Sequence, residues 1–372
     1  MKYYIIAGEA SGDLHGSNLI KALRREDPEA NFRGWGGDMM QEQGMDLVKH
    51  YRDLAFMGFV EVVMNLRTIL RNLSYCKQDV LAFQPDALIL IDYPGFNLRI
   101  AKWAHGQGIR VLYYISPQIW AWNAKRVHGI KKTVDKMYVI LPFEKAFYDQ
   151  YDYSVEFVGH PLLDVIDRYD APAGFHKEFG LDPDRPLIAL LPGSRRQEIS
   201  RMLRGMLAAA KARPQYQFVL ACAPSIPDDF YEQILNKEGV SIPLVSGRTY
   251  DILSLADAAL VTSGTATLET ALFEVPEVVC YQGSPLSYQI ARRVIRVKYI
   301  SLVNLVVDRE LVTELIQSDF RPRRILSELD RLFEPHQRST LQAGYRELKA
   351  KLGHSGASQK AAGHMVKFLN DE

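Results

Sequence analysis

Short apolar runs that end in small or turn-forming residues, each followed by a helical segment, recur along this chain, and that alternation limits the folds open to it. Tyr3–Ala7, Ala87–Asp92, Arg110–Ile115, Lys136–Ile140 and Glu156–Val158 read as strands, with helical patterns such as His15–Arg25 and Leu98–His105 between them. Strands alternating with helices build an open α/β sheet covered on both faces. After His160-Pro161 the pattern lapses into a polar stretch, Asp167 to Asp184, containing Pro172, Gly174 and Pro183, which reads as a linker. A second series follows in Leu187–Leu191, Gln217–Ala221, Ile242–Val245, Ala258–Thr262 and Glu277–Tyr281, and the segments Ser327–Gly353 and Ala357–Leu369 read as helical. At 372 residues the chain exceeds one ordinary core. The expected organisation is an N-terminal domain over 1–166, a C-terminal domain over 167–345 and a helical tail over 346–372. The tail has two candidate berths, the N-terminal domain or a second subunit of a homodimer. Two doubly wound domains of this kind face each other across a cleft, the default place for a ligand.

Composition excludes several classes. The net charge is +1 with acids and bases interspersed, so no nucleic-acid footprint is present. Cys76, Cys222 and Cys280 are too far apart in sequence to form a disulfide framework or a metal cluster, and each is expected in a core within a reducing compartment. The start, Met1-Lys-Tyr-Tyr-Ile-Ile-Ala7, runs directly into a strand and leaves no room for a signal peptide. No apolar run reaches the roughly 18 residues needed to span a bilayer. The expectation is a soluble or peripheral protein.

Two turns point to a phosphate-bearing ligand. In Leu190-Leu-Pro-Gly-Ser-Arg-Arg-Gln-Glu-Ile199, Pro192 and Gly193 end a strand and Ser194 is placed to cap the helix that follows. The free N–H groups of a first helical turn attract an anion, and Arg195 adds a forked cation. An ordinary strand-to-helix turn with a solvated arginine fits this piece equally well. The second turn tips the balance. Asp257–Thr262 is a strand, and Ser263-Gly264-Thr265-Ala266-Thr267 follows it as a loop of small residues ahead of a helix. Small residues let backbone N–H groups approach a ligand, and the Thr265 and Thr267 hydroxyls can add bonds. Glu269 lies one helical turn beyond Thr265, where it could accept from both hydroxyls of a ribose. The pair suggests one nucleotide at the carboxyl edge of a parallel sheet.

The N-terminal half supplies candidate chemistry. Gly8-Glu-Ala-Ser-Gly-Asp13 lacks the Gly-x-Gly-x-x-Gly spacing of a dinucleotide site; Glu9 is expected at the cleft, and Asp13 as a cap on the helix it opens. The apolar run Ala87–Ile91 ends abruptly in Asp92, and a carboxylate at the end of a buried strand is placed to serve as a general base. Pairing with a nearby base or capping of Tyr93-Pro94 is the alternative. In Ser116-Pro-Gln-Ile-Trp-Ala-Trp-Asn-Ala-Lys-Arg126, two tryptophans beside Lys125 and Arg126 form either an apolar wall with phosphate-binding cations or ordinary packing under a loop. His160, alone at the hinge, reads as hydrogen-bonded structure more readily than as a catalyst. Phe59, Val63, Leu66, Leu70 and Leu73 fall on one helical stripe flanked by Arg67 and Arg71. That stripe is either a core face or a surface that meets a membrane interface or acyl chains.

These motifs occur in the order seen in the lipid-A-disaccharide synthase family, which the chain resembles. Gly8–Asp13, Met57-Gly-Phe-Val-Glu61, Ile91-Asp-Tyr-Pro-Gly-Phe-Asn97, Ser116–Trp122, Leu141-Pro-Phe-Glu-Lys145, Gly159-His160, Leu191–Arg195 and Ser263–Glu269 carry the resemblance, which extends to about Gln317. It implies a GT-B glycosyltransferase that joins UDP-2,3-diacylglucosamine to 2,3-diacylglucosamine 1-phosphate with inversion, giving the β-1,6-linked disaccharide 1-phosphate and UDP. It implies no cofactor and no metal for the diphosphate. Asp92 matches the family's proposed base and Glu9 a second polar position. Ser194, Arg195, Ser263, Gly264, Thr265, Glu269 and Asn304 match the nucleotide side. Phe59, Val63, Leu66, Arg67, Leu70, Arg71 and Trp122 would meet the acceptor and the lipid, at the cytoplasmic leaflet of the inner membrane. The chain departs from the pattern at Val303, where the family commonly has proline, at Val307-Asp308-Arg309, and at Asn123, where arginine is common. A UDP-N-acetylglucosamine 2-epimerase, the transferase of peptidoglycan lipid assembly and a non-catalytic lipid or nucleotide-sugar binder are the rival readings.

Overall fold

The computed structural model describes residues 1–54, 66–284, 288–289, 293, 295 and 297–371, with position 66 described by its backbone alone. The chain divides into two compact units, the first comprising Met1–Asp164 with His354–Glu372 and the second Val165–Gly353.

Unit 1 is built on a seven-stranded sheet: β1 (Lys2–Ala7), β2 (Asn31–Gly36), β3 (Asp46–His50), β4 (Ala87–Ile91), β5 (Arg110–Tyr114), β6 (Lys136–Val139) and β7 (Glu156–Phe157). Its order is β3-β2-β1-β4-β5-β6-β7, with every neighbouring pair parallel. The central strands are apolar on both faces, as a sheet covered by helices on each side requires: Tyr3–Ala7 and all of β4 are buried. The helices that matter here are α1 (Ala10–Glu26), α2 (Asp38–Glu42), α3 (Leu66–Phe83), α4 (Pro94–His105) and α5 (Pro142–Asp149). Sequence alternation did not announce β2 and β3, because Arg33, Gly34 and Gly36 interrupt one and Asp46, Lys49 and His50 give the other a polar, edge-like character.

Unit 2 holds a six-stranded sheet of β8 (Leu187–Leu191), β9 (Gln217–Cys222), β10 (Leu244–Ser246), β11 (Ala258–Thr262), β12 (Glu277–Tyr281) and β13 (Thr313–Ile316), ordered β10-β9-β8-β11-β12-β13 and again parallel throughout. Its helices include α6 (Arg196–Ala212), α7 (Thr249–Leu255), α8 (Thr265–Leu272), α9 (Leu302–Val307), α10 (Pro322–Arg331) and α11 (Pro335–Leu352). The stretch read as a linker is packed structure: Phe175, within a helical turn at Phe175–Glu178, is buried in the core of this unit. The segment Ser327–Gly353, expected to be helical, is helical in two pieces. Pro335 has no N–H to continue α10 and instead opens α11, where that donor would be unpaired anyway.

The last helix, α12 (Ala357–Asn370), belongs to unit 1 and packs along α1. The carboxylate of Asp164 caps it, accepting from the N–H groups of Gly356, Ala357 and Ser358. The guanidinium of Arg110 donates to the Leu369 carbonyl at its far end, 3.1 Å away.

In each sheet the strand order reverses at one point, between β1 and β4 in unit 1 and between β8 and β11 in unit 2. Loops leaving neighbouring strands there run to opposite faces and open a crevice at the carboxyl edge, the general ligand position in doubly wound sheets. Gly8–Asp13 and Asp92–Asn97 lie at the first reversal; Pro192–Arg195 and Ser263–Thr267 lie at the second.

Candidate active site

In unit 1, Asp92 and Tyr93 follow β4 with φ of +43° and +48°, two successive side-chain-bearing residues in the left-handed region. Each such residue costs on the order of 1 kcal/mol or more, so its neighbours must hold it. They do. The Asp92 carbonyl accepts from the amide of buried Asn97 at 2.8 Å and from the Tyr113 hydroxyl at 2.5 Å. The Asp92 N–H donates to the Tyr114 carbonyl at 3.2 Å. The Tyr93 ring lies where any side chain on residue 8 would have to go, so Gly8 is required by close approach. Pro94 then starts α4 with its φ already suitable. The result is a fixed carboxyl group whose pKa is pushed up to about 7, first by burial and then by the nearby Glu9 carboxylate, against a lowering hydrogen bond from the Tyr93 N–H. Glu9 itself is the N-cap position of α1.

Asp13 does not cap the helix it lies in. Its buried carboxylate accepts from Gly37, Met40 and Met39 N–H at 2.8, 3.0 and 3.1 Å, and so caps α2 instead, tying the first turn of α1 to the end of β2. The two tryptophans part company. Trp120 donates to Glu144 at 3.2 Å and meets Phe143 edge-on, so it is packing. Glu144, buried at the start of α5, also accepts from Leu141 and Ile140 N–H, and burial pushes its pKa up to about 7. Trp122 is 41% exposed with the Arg126 guanidinium 4.4 Å over its ring. His160 is buried and neutral: burial presses its pKa down to about 3, and its Nδ1 accepts from the Leu162 N–H.

Of the lipid stripe, Phe59, Val63 and the Leu66 side chain lie outside the described residues. The remainder divides between two faces of α3. Leu73, Cys76 and Val80 are buried, with Ile69 packed beside them, whereas Arg67, Leu70 and Arg71 are exposed, Leu70 by 55%. Leu70 and Leu73 therefore do not share a stripe.

In unit 2, Ser194 and Arg195 are exposed at the start of α6, and Arg195 occupies the N-cap position. The Ser194 hydroxyl is not the cap. Glu198 folds back so that its carboxylate accepts from Ser194 N–H at 3.2 Å and from Arg195 N–H, with the side chain lying over Gly193 at φ +106°. In the second turn Gly264 and Thr265 are exposed. The Ser263 hydroxyl donates to the Ile300 carbonyl at 2.9 Å, and Thr267 is buried with its hydroxyl on the Gly264 carbonyl. Glu269 accepts from the Tyr250 hydroxyl at 2.8 Å, and burial raises its pKa.

The Asn304 side chain is fully engaged within the protein. Its amide donates to the Val312 carbonyl and Glu314, and its oxygen accepts from Leu311 and Val312 N–H, all between 2.8 and 3.0 Å. Glu314 accepts in addition from Ile300 and Ser301 N–H, and the Ser301 hydroxyl caps α9. Asn304 and Glu314 thus hold the Ile300–Ser301 turn on which Ser263 rests. Glu198, Tyr250 and Glu314 were not singled out in the sequence. Only Glu198 had a local signal, an acid three residues into a helix.

A model of the family described as lipid-A-disaccharide synthetase matches residues 3–368. The chain belongs to the lipid-A-disaccharide synthetase family. It is 41% identical to the lipid-A-disaccharide synthase of Geobacter sulfurreducens, over 99% of this chain and 97% of that protein. To the one from Syntrophus aciditrophicus it is 44% identical, over 96% and 95%. Among solved structures, MnaA of S. aureus with UDP has a TM-score of 0.71 at 13% identity, covering 99% of this chain and 97% of that one. The calicheamicin glycosyltransferase CalG4 has a TM-score of 0.59 at 16% identity, covering 99% and 98%. These two likenesses establish the fold: two Rossmann-like units of the GT-B kind. Family membership makes the chain a disaccharide-forming glycosyltransferase of lipid A biosynthesis. Among the described residues no helix is long and apolar enough to cross a membrane.

Proposed function

We propose that this synthetase transfers the diacylglucosamine of UDP-2,3-diacylglucosamine to the 6-hydroxyl of 2,3-diacylglucosamine 1-phosphate. Asp92 takes the hydroxyl proton as the oxygen attacks the anomeric carbon from the face opposite UDP. The bond from that carbon to the diphosphate oxygen breaks, and the electron pair leaves with UDP. One displacement inverts the centre and gives the β-1,6 linkage. The transition state has oxocarbenium character, as in glycoside hydrolysis. The observation that carries this reading is the Asp92 carboxyl, fixed at the strand-order reversal of unit 1 with a pKa of about 7, where a base works best near neutral pH.

Charge building on the departing UDP would be met by Arg195 and by the N-termini of α6 and α8, with Gly264 and Thr265 exposed at the latter. Glu269, oriented by Tyr250, would hold the ribose. Ser263 and Asn304 serve the donor indirectly by fixing the turn beside it. Trp122, with Arg126 stacked on it, is an exposed aromatic suited to the acceptor. The outward face of α3, carrying Arg67, Leu70 and Arg71, supports contact with an anionic leaflet, the cytoplasmic face of the inner membrane in this reading. UDP release from the donor should require the acceptor and survive EDTA. Release without the acceptor would favour an epimerase or hydrolase instead.

A further inference from the structure

The N–H groups offered to the donor's diphosphate at the start of α6 already have an occupant. The Glu198 carboxylate accepts from Ser194 N–H at 3.2 Å and from Arg195 N–H. Its side chain bends back across Gly193, so closely that a Cβ at residue 193 would overlap the carboxyl oxygen. Three features separate this from routine helix capping. A capping box pairs the third-residue acid with a Ser, Thr or Asp at the N-cap, which accepts in return; here the N-cap is Arg195, which has no acceptor, so only the acid's half exists. The turn is exposed at Ser194 and Arg195, where water would satisfy the N–H groups without help. The Glu198 carboxyl is nonetheless half-buried, which raises its pKa and weakens its hold as an anion.

We propose that Glu198 is an internal stand-in for the donor's diphosphate: its carboxylate holds the Ser194 and Arg195 N–H groups until a phosphate oxygen takes them. A carboxylate and a phosphate are both anions that seek the same donors, and both cannot be served by one pair of N–H groups. Donor binding therefore moves Glu198 off the turn, and this also turns the Arg195 charge, which now faces Glu198, toward the incoming phosphate. When UDP leaves, the carboxylate returns and helps to expel it. The inference rests on the donor reading of this turn.

The test is calorimetric titration of UDP into the full-length wild type, Glu198→Ala, Glu198→Gln and Arg195→Ala, with a thermal melt of each. Removing the competitor should tighten UDP binding in Glu198→Ala by about three- to tenfold, the range one cap interaction commands. Glu198→Gln, whose amide oxygen still accepts but carries no charge, should fall between that variant and wild type. Without UDP, Glu198→Ala should melt about 2–4 °C lower for loss of the cap. Affinity unchanged or weakened in both Glu198 variants, with Arg195→Ala still weakening UDP, overturns the stand-in and leaves the donor reading intact. No UDP binding by wild type, or binding indifferent to Arg195→Ala, overturns the donor reading and the inference with it. Should Glu198→Ala fail to fold, Glu198→Gln decides.

Discussion

Replacing Glu9 by Gln probes how the Asp92 carboxyl is tuned, because it removes one charge and keeps the shape. Asp92 is lifted from an ordinary 3.8 to about 7, chiefly by burial and next by Glu9. That lift corresponds to about 4 kcal/mol in favour of the protonated form. The sign follows directly: a carboxyl with a raised pKa becomes a base only as pH climbs through that value. With a pKa near 7, about a tenth of the enzyme carries ionised Asp92 at pH 6 and about nine tenths at pH 8. The kcat/KM of wild type, which reports the free enzyme, should fall about tenfold per pH unit below roughly pH 6 and level off above roughly pH 8. In Glu9→Gln the same limb should move to lower pH. It should not reach the ordinary carboxylate range, because burial, the larger cause, is untouched. The assay is UDP release at subsaturating donor from about pH 5 to 9, with each profile scaled to its own plateau, since Glu9 lies close to Asp92 and its replacement can lower the plateau itself. A limb that stays in place or moves upward in Glu9→Gln would refute the coupling. A wild-type profile flat from pH 5 to 8 would refute the raised pKa.

Three further outcomes follow from other contacts. Tyr250→Phe strips the hydroxyl from Glu269 and should raise the donor KM by about five- to tenfold with kcat little changed, the value of one ordinary hydrogen bond; an unchanged KM would detach Glu269 from the ribose. Asn304→Ala leaves two N–H groups and two acceptors in the β13 turn without their partner and should cost about 2–4 kcal/mol in urea unfolding, with activity falling through loss of folded protein and of the Ile300–Ser301 support. Arg67→Gln with Arg71→Gln should reduce co-sedimentation with anionic vesicles and leave binding to neutral ones as it was; unchanged sedimentation would remove α3 from the membrane face.

Much of this was legible because the central strands of a doubly wound sheet are continuous apolar runs, and the residue after each run sits at the carboxyl edge. Asp92, Ser194 and Ser263 could be placed at strand ends from the sequence for that reason alone. The strands that escaped notice, β2, β3 and β13, are short or interrupted by polar residues and glycine, and two of them are edges that need less apolar surface. What sequence cannot convey is the partner of a polar side chain. Asp13 looked like a local cap and serves a helix 25 residues on, in α2. Asn304 matched a nucleotide position and is wholly engaged by Leu311, Val312 and Glu314, at the entry to and within β13, a strand that had not been seen. Among the described residues the stripe along α3 failed because a step of three residues from Leu70 to Leu73 crosses from the solvent face to the core.

If Asp92 is the base of a sugar transfer that needs both substrates, its amide replacement must abolish turnover without loosening UDP. Acceptor-dependent UDP release should be measured in parallel for wild type and Asp92→Asn, with UDP affinity determined on the same preparations. A loss of about 100-fold or more in kcat is expected for Asp92→Asn, with UDP bound as in wild type, since the proposed donor residues all lie in unit 2. Full turnover by Asp92→Asn would contradict it and send the search for the base elsewhere.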